Sequence, residues 1–293
     1  MAIAFRASGP IEQVRGNLGL LEELPGTFIG SGFNLIARPD KHNNKPFFLE
    51  LNATHEILQF IAIGGDIPNR GSMQDDVNLH GVRYLQQVSD CTDHSQIHIE
   101  PGLWLHVPQI QDPPSDEAYV RQALIPHGDS VLAQSTFFTR VNGGPQIAAV
   151  NSTPFTDDQI PDLNADPTKP VDDPEYLAPF RNTKLPAECL PQGLDDAATI
   201  RNPALVLQAT IAGQNIAQTD VIQISSAAVG GIVNIPFVVK NANATRLDAI
   251  FWIETVQRPN GQEFIQLQYV QRVILDFIGI HWPHISVATL VKQ

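Results

Sequence analysis

The residues able to do chemistry in this chain are nine histidines and a few carboxylates set inside apolar segments. His42 and His94 sit in polar turns, where solvation is expected. His80 and His98 alternate with apolar neighbours, which places them on the expected solvent face of their strands. His55 lies in the middle of a long strand-like segment, His106 follows Trp104, and His127 sits at the corner Pro126-His127-Gly128. His281 and His284 flank Trp282-Pro283. No two histidines share a strand face at a spacing of two, so the pattern argues against a multi-histidine mononuclear centre. One imidazole is enough for haem, because the porphyrin supplies four ligands and the protein one. Glu50, Glu56 and Glu100 fall within predicted strands and are expected to face solvent. A paired-carboxylate glycosidase would need two of them facing each other across a cleft. There is no GxSxG, HExxH or P-loop, and Gly64-Gly65 and Gly143-Gly144 read as turn glycines.

The elements that must position these groups are mostly strands. Leu18, Leu20, Leu21 and Leu24 suggest a short helix that Pro25-Gly26 ends. Strands are predicted at residues 27–37, 46–63, 77–88, 96–107, 118–125, 130–140 and 146–150. The glycines of the first suggest a bend or a close approach by a ligand. Residues 151–200 are rich in Pro and Asp and read as an ordered excursion over the barrel surface, anchored by Tyr176, Leu177 and Phe180; a domain linker is the competing reading. Asn202-Pro203 opens a predicted helix to about residue 212. Strands at 220–225, 232–239, 248–256, 264–277 and from Pro283 onward complete the chain. Ten to twelve strands with turn signals between them, and strong strands at both ends, predict an all-β antiparallel barrel spanning residues 1–293 as one domain.

Composition limits the partners. The 293 residues carry 31 Asp and Glu against 18 Lys and Arg, a net charge of −13. Such a surface repels phosphate, so neither nucleic acid nor anionic membrane is an expected partner. No stretch has the length and hydropathy of a membrane span, and the N-terminus lacks a cationic segment followed by an apolar run, so a cytoplasmic protein is expected. Cys91 and Cys189 are too few for a disulfide framework or a cysteine zinc site. The sequons at Asn52, Asn151 and Asn243 read as chance matches in such a protein.

Two stretches carry a resemblance. Leu24-Pro25-Gly26-Thr27-Phe28-Ile29-Gly30-Ser31-Gly32 resembles the G-T-W-x-G-x-G opening of calycin barrels, and of the haem-binding nitrobindin group in particular, with Phe28 in place of Trp. His284-Ile285-Ser286-Val287-Ala288-Thr289-Leu290 resembles the closing H-L-x-A-T-L strand of that group. The chain is also similar to bacterial and fungal proteins described as haem-binding, fatty-acid-binding-protein-like or peroxidase-like. The resemblance implies a calycin-like barrel holding haem b, with His284 as the axial iron ligand. Gly30 and Gly32 would lie beside it, Trp282, Phe28 and Phe33 would supply walls, and His106 or His55 a distal polar group. A haem with an open distal side could bind nitric oxide or react with peroxide, but no acid–base pair is identifiable that would make the chain an enzyme. A second reading is a carrier of fatty acid or another apolar ligand without haem, which would want a buried arginine among Arg83, Arg121 and Arg140. A third is a barrel hydrolase or isomerase in which two of His55, Glu100 and His106 converge.

Overall fold

The computed structural model describes residues 10–227 and 231–293. Ten long antiparallel strands form its barrel: β1 (Gly26–Asp40), β2 (Lys45–Ala62), β3 (Val77–Asp90), β4 (Gln96–Val107), β5 (Ala118–Ile125), β6 (Asp129–Asn142), β7 (Asn215–Ser225), β8 (Asn243–Gln257), β9 (Glu263–Phe277) and β10 (Ile280–Lys292). Each pairs with the next in the chain, and β10 returns to pair with β1, Gly30 opposite Leu290 and Phe33 opposite Val287. Closure leaves these strands without a free edge. The expectation of an all-β antiparallel barrel holds.

Side-chain alternation sorts the strands into two cores. Phe28, Leu58, Phe60, Val82, Trp104, Phe251, Leu267 and Leu290 point into the barrel. Phe33, Leu35, Leu49, Ile250, Trp252, Ile285 and Val287 point outward, under Leu163, Phe180, Ile200 and Leu207 from the segment between β6 and β7. Strand β8 is buried on both faces there, which is why 250–253 reads Ile-Phe-Trp-Ile without polar alternation. Cys91, at the turn after β3, is disulfide-bonded to Cys189 of the excursion. The two cysteines thus make no framework, but they do pin the excursion to the barrel.

Several local expectations are corrected. The short helix expected over residues 18–24 is a single 3-10 turn, Gly19–Leu21. Residues 146–150 are not a strand. The segment predicted as a strand over 232–239 is a short strand, Gly231–Asn234, followed by a helix, Pro236–Asn241, because Pro236 takes the first helical position. Five short α-helices occur among the described residues, where two helices were expected. Strand β4 runs through Pro101-Gly102 unbroken, with Pro101 opposite Leu85 of β3 and Gly102 opposite Ala123 of β5. The expectation about an N-terminal leader falls on residues 1–9, outside the described residues. Among the described residues no helix is long and apolar enough to cross a membrane.

Candidate functional site

One half of the barrel interior is filled. The 3-10 turn places Leu21 and Leu24 across that end, over Phe60, Trp104, Ile222, Ile253 and Leu267. Phe28 meets Phe60 edge-on at 5.8 Å, and Trp104 meets Phe251 edge-on at 4.9 Å. The void left among these residues is about 10 Å³, room for one water at most.

Above this plug the lumen turns polar. Arg121 on β5 is buried with Glu100 on β4, Nη2 lying 2.5 Å from Oε1. Its Nε donates to the Tyr84 hydroxyl at 3.0 Å and its Nη1 to Gln271 Oε1 at 2.6 Å. The Tyr84 hydroxyl donates to the same Glu100 oxygen. The guanidinium also lies over the rings of Phe251 and Tyr84, at 5.4 and 5.7 Å from their centroids. Burial would raise the Glu100 pKa, but the Arg121 charge and the bonds from His98 and Tyr84 outweigh it and hold the pKa at about 2. Beside this pair, Glu56 accepts from Thr54 (3.0 Å), Tyr269 (2.7 Å) and Gln86 (3.1 Å), and burial pushes its pKa up despite those three donors.

The remaining end carries the imidazoles. His284 lies opposite Val273 of β9 and shares its strand face with Ser286 and Ala288. Its ring is deep in the protein, with part of its surface left accessible. Its Nε2 is 2.8 Å from Asn34 Oδ1, which also accepts from the Ser286 hydroxyl at 3.0 Å. Burial first, then the charges of His98 and His127, push the His284 pKa down to about 3, so the ring is neutral at pH 7. His98 faces Glu100 Oε2 at 3.4 Å, and its ring centroid is 5.6 Å from that of His127.

The structure brings only part of the expected site together. His284 faces the lumen, and Gly30 and Gly32 lie on the neighbouring wall. The two glycines serve the wall itself: a Cβ at Gly30 would strike the Thr289 carbonyl, and one at Gly32 the Val287 carbonyl. Phe33 and Trp282 do not wall the lumen. Phe33 points outward, and Trp282 packs against Phe47 at 4.5 Å and Phe277 at 5.1 Å in the outer core. Phe28 is inside but belongs to the plug. His106 sits at the plugged end, stacked on Tyr119 with Nδ1 2.7 Å from the Asn17 carbonyl, so it faces no common space with His284. His55 is on the outer face, opposite Ser31 and exposed. His55, Glu100 and His106 therefore do not converge.

Sequence reasoning missed His98, His127, Asn34 and the Arg121–Glu100 pair. A usable signal was there: Glu100 and His98 lie four and six residues from Trp104, on its face of the strand, and a Trp on a barrel strand is expected inside. Glu56 likewise shares a face with Leu58 and Phe60. The expectation that Glu56, Glu100 and His98 face bulk solvent is corrected, and of the three glutamates only Glu50, paired with Arg38, is partly exposed.

No family model matches the chain, and no curated protein matches it. It is similar to a solved structure described as "Crystal Structure of Rv2717c from M. tuberculosis", with 13% identity, a TM-score of 0.45, and 98% of this chain and 99% of that one covered. The closed barrel stands on this chain's own strand pairing.

Proposed function

We propose that the end of the barrel that holds His284 binds a planar, largely apolar cofactor, haem b, with His284 as its axial ligand. The observation that carries this reading is the His284 imidazole itself: lumen-facing, neutral, and hydrogen-bonded through one nitrogen to Asn34. A metal-ligating histidine needs a neutral ring and a partner that fixes its orientation. Ser286 and Ala288 keep the wall beside it low, and Val273 and Leu247 supply apolar surface. Among the described residues no group of three or more His, Cys, Asp or Glu could hold a bare metal ion, which suits a ligand that brings its own nitrogen donors. Bound haem would supply an iron centre for nitric oxide or for peroxide chemistry. The chain's own contribution is to present the imidazole, to close the opposite end against water, and to set the His98 ring 3.4 Å from ionised Glu100.

The lipid-carrier reading wanted a buried arginine, and Arg121 is buried, but Glu100 already neutralises it. A fatty carboxylate would have to displace that partner, so haem is preferred. The Cys91–Cys189 bond supports folding in an oxidising compartment rather than the cytoplasm expected from the sequence.

Titration with hemin should give a Soret band that His284→Ala shifts and weakens. Hemin binding of equal affinity and identical spectrum in His284→Ala would refute the ligand assignment.

A further inference from the structure

A line of polar side chains runs sideways through the barrel wall and ends on His284. Asn34 of β1 stands opposite Ser286 of β10 on one side and opposite Asn52 of β2 on the other. Its Nδ2 donates to Asn52 Oδ1 at 3.1 Å, and Asn52 Nδ2 donates to Asp90 Oδ2 at 2.9 Å. The chain therefore crosses four adjacent strands, from β3 to β10, within a wall where Asn34 is only 7% exposed. Asp90 is the last residue of β3, and its other carboxylate oxygen accepts from the Thr92 N–H at 2.6 Å. The next residue, Cys91, donates its N–H to the Ala53 carbonyl and carries the disulfide to the excursion. The far end of the line is thus doubly fastened.

The direction of this chain is fixed by its one charged member. An ionised carboxylate accepts hydrogen bonds and donates none, whereas an Asn side chain has a donor end and an acceptor end. Burial opposes ionisation of Asp90, but the bonds from Asn52 and Thr92 prevail and lower its pKa. Asn52 must therefore turn its amide NH₂ to Asp90 and its oxygen to Asn34. Asn34 must then turn its NH₂ to Asn52 and its oxygen to His284 and Ser286. An acceptor facing Nε2 requires that Nε2 carry the proton.

We infer that the Asp90–Asn52–Asn34 chain locks His284 in the Nε2–H tautomer, so that Nδ1 is the electron-pair donor this imidazole offers to a ligand. Asp90, Asn52 and Asn34 are positioning residues: they act on the chemistry of His284 from as far as three strands away. The tautomer follows from the hydrogen bonds alone; the role of Nδ1 toward iron rests on the haem reading above. With the proton held on Nε2, an iron would be met by the nitrogen nearer the backbone, which constrains how close a macrocycle must come to β10.

The test is nitrogen-15 NMR of histidine-labelled protein without hemin, correlating the ring nitrogens and carbon-bound protons of His284. Nδ1 should resonate as an unprotonated, pyridine-type nitrogen and Nε2 as a protonated, pyrrole-type one. The reverse assignment overturns the inference. In Asp90→Asn the terminal amide can offer either end to Asn52, so the polarity is released and the His284 shifts should move toward a mixture of tautomers. A folded Asp90→Asn protein with unchanged His284 shifts also overturns it. If the parent shows the Nε2–H tautomer yet gives no Soret band with hemin, the chain stands and the haem reading falls.

Discussion

Arg121 and Glu100 face each other at 2.5 Å in the middle of the barrel, with only 3% and 1% of their side chains accessible. They form the boundary between the aromatic plug and the polar lumen. Breaking a buried pair from one side leaves an uncompensated charge, which costs about 3–5 kcal/mol. Arg121→Met should lose stability of that order in urea denaturation. Arg121→Met combined with Glu100→Leu should recover most of the loss, since a well-packed apolar pair can replace an ion pair. A double variant no more stable than the single would show that Glu100 is not left stranded by the loss of Arg121.

Glu254 predicts a pH dependence of stability independent of the lumen. Its side chain faces the outer core at 0% exposure, accepts from Gln266 Nε2 at 2.6 Å, and leaves Oε1 without a hydrogen-bond partner. Burial, only partly offset by the Gln266 bond, raises its pKa from an ordinary 4.5 to about 7. The folded state therefore holds this proton more tightly than the unfolded chain. Its contribution to stability is complete below pH 4.5 and is lost as pH rises through 7, up to about 3 kcal/mol in all. Glu254→Gln should flatten the stability profile between pH 5 and 8 and stabilise the protein at pH 8. An unchanged slope would show that Glu254 is not the titrating group.

Gly32 is required by its neighbours. A Cβ there would strike the Val287 carbonyl, and would come within 2.9 Å of the Ala288 side chain. Gly32→Ala should cost about 1–3 kcal/mol through forced separation of β1 and β10. Thermal unfolding of the ligand-free protein measures it, and an unaltered Tm would mean that the wall yields freely.

The disulfide joins positions 98 apart in sequence. Removing such a link costs about 2–4 kcal/mol. Cys91→Ser with Cys189→Ser should lower the Tm and expose residues 151–200 to limited proteolysis before the barrel opens. Simultaneous cleavage of barrel and excursion would contradict the separate fastening.

Much of this was legible in period-two patterns and turn residues. The ten barrel strands fall close to the predicted ranges because alternation and Gly, Pro and Asn punctuation are local properties of the chain. Which face of each strand looks inward is not local. Trp282 and His284 are two apart on β10 and would share a face, yet Trp282 is claimed by Phe47, Phe277 and Tyr176 in the outer core. Phe47 lies more than two hundred residues away, and no pattern near Trp282 announces it. The same holds for His284, whose hydrogen-bond partner Asn34 lies 250 residues earlier. Glu100 reads as solvent-facing when taken alone, and is permitted inside because Arg121, 21 residues later, meets it there.

Strands β6 and β7 are neighbours in the sheet, with Asn142 opposite Gln218, although everything from residue 143 to 214 lies between them. In architectural terms the whole excursion, its helices and its half of the disulfide form a single oversized hairpin loop. The ring of strands could be closed by a turn of a few residues in its place. What that loop gives the protein is a second dry face, one that lets a barrel wall carry large apolar side chains on both sides. A chain that lost it would keep the route around the barrel but expose Phe33, Leu35, Trp252 and Ile285 to water.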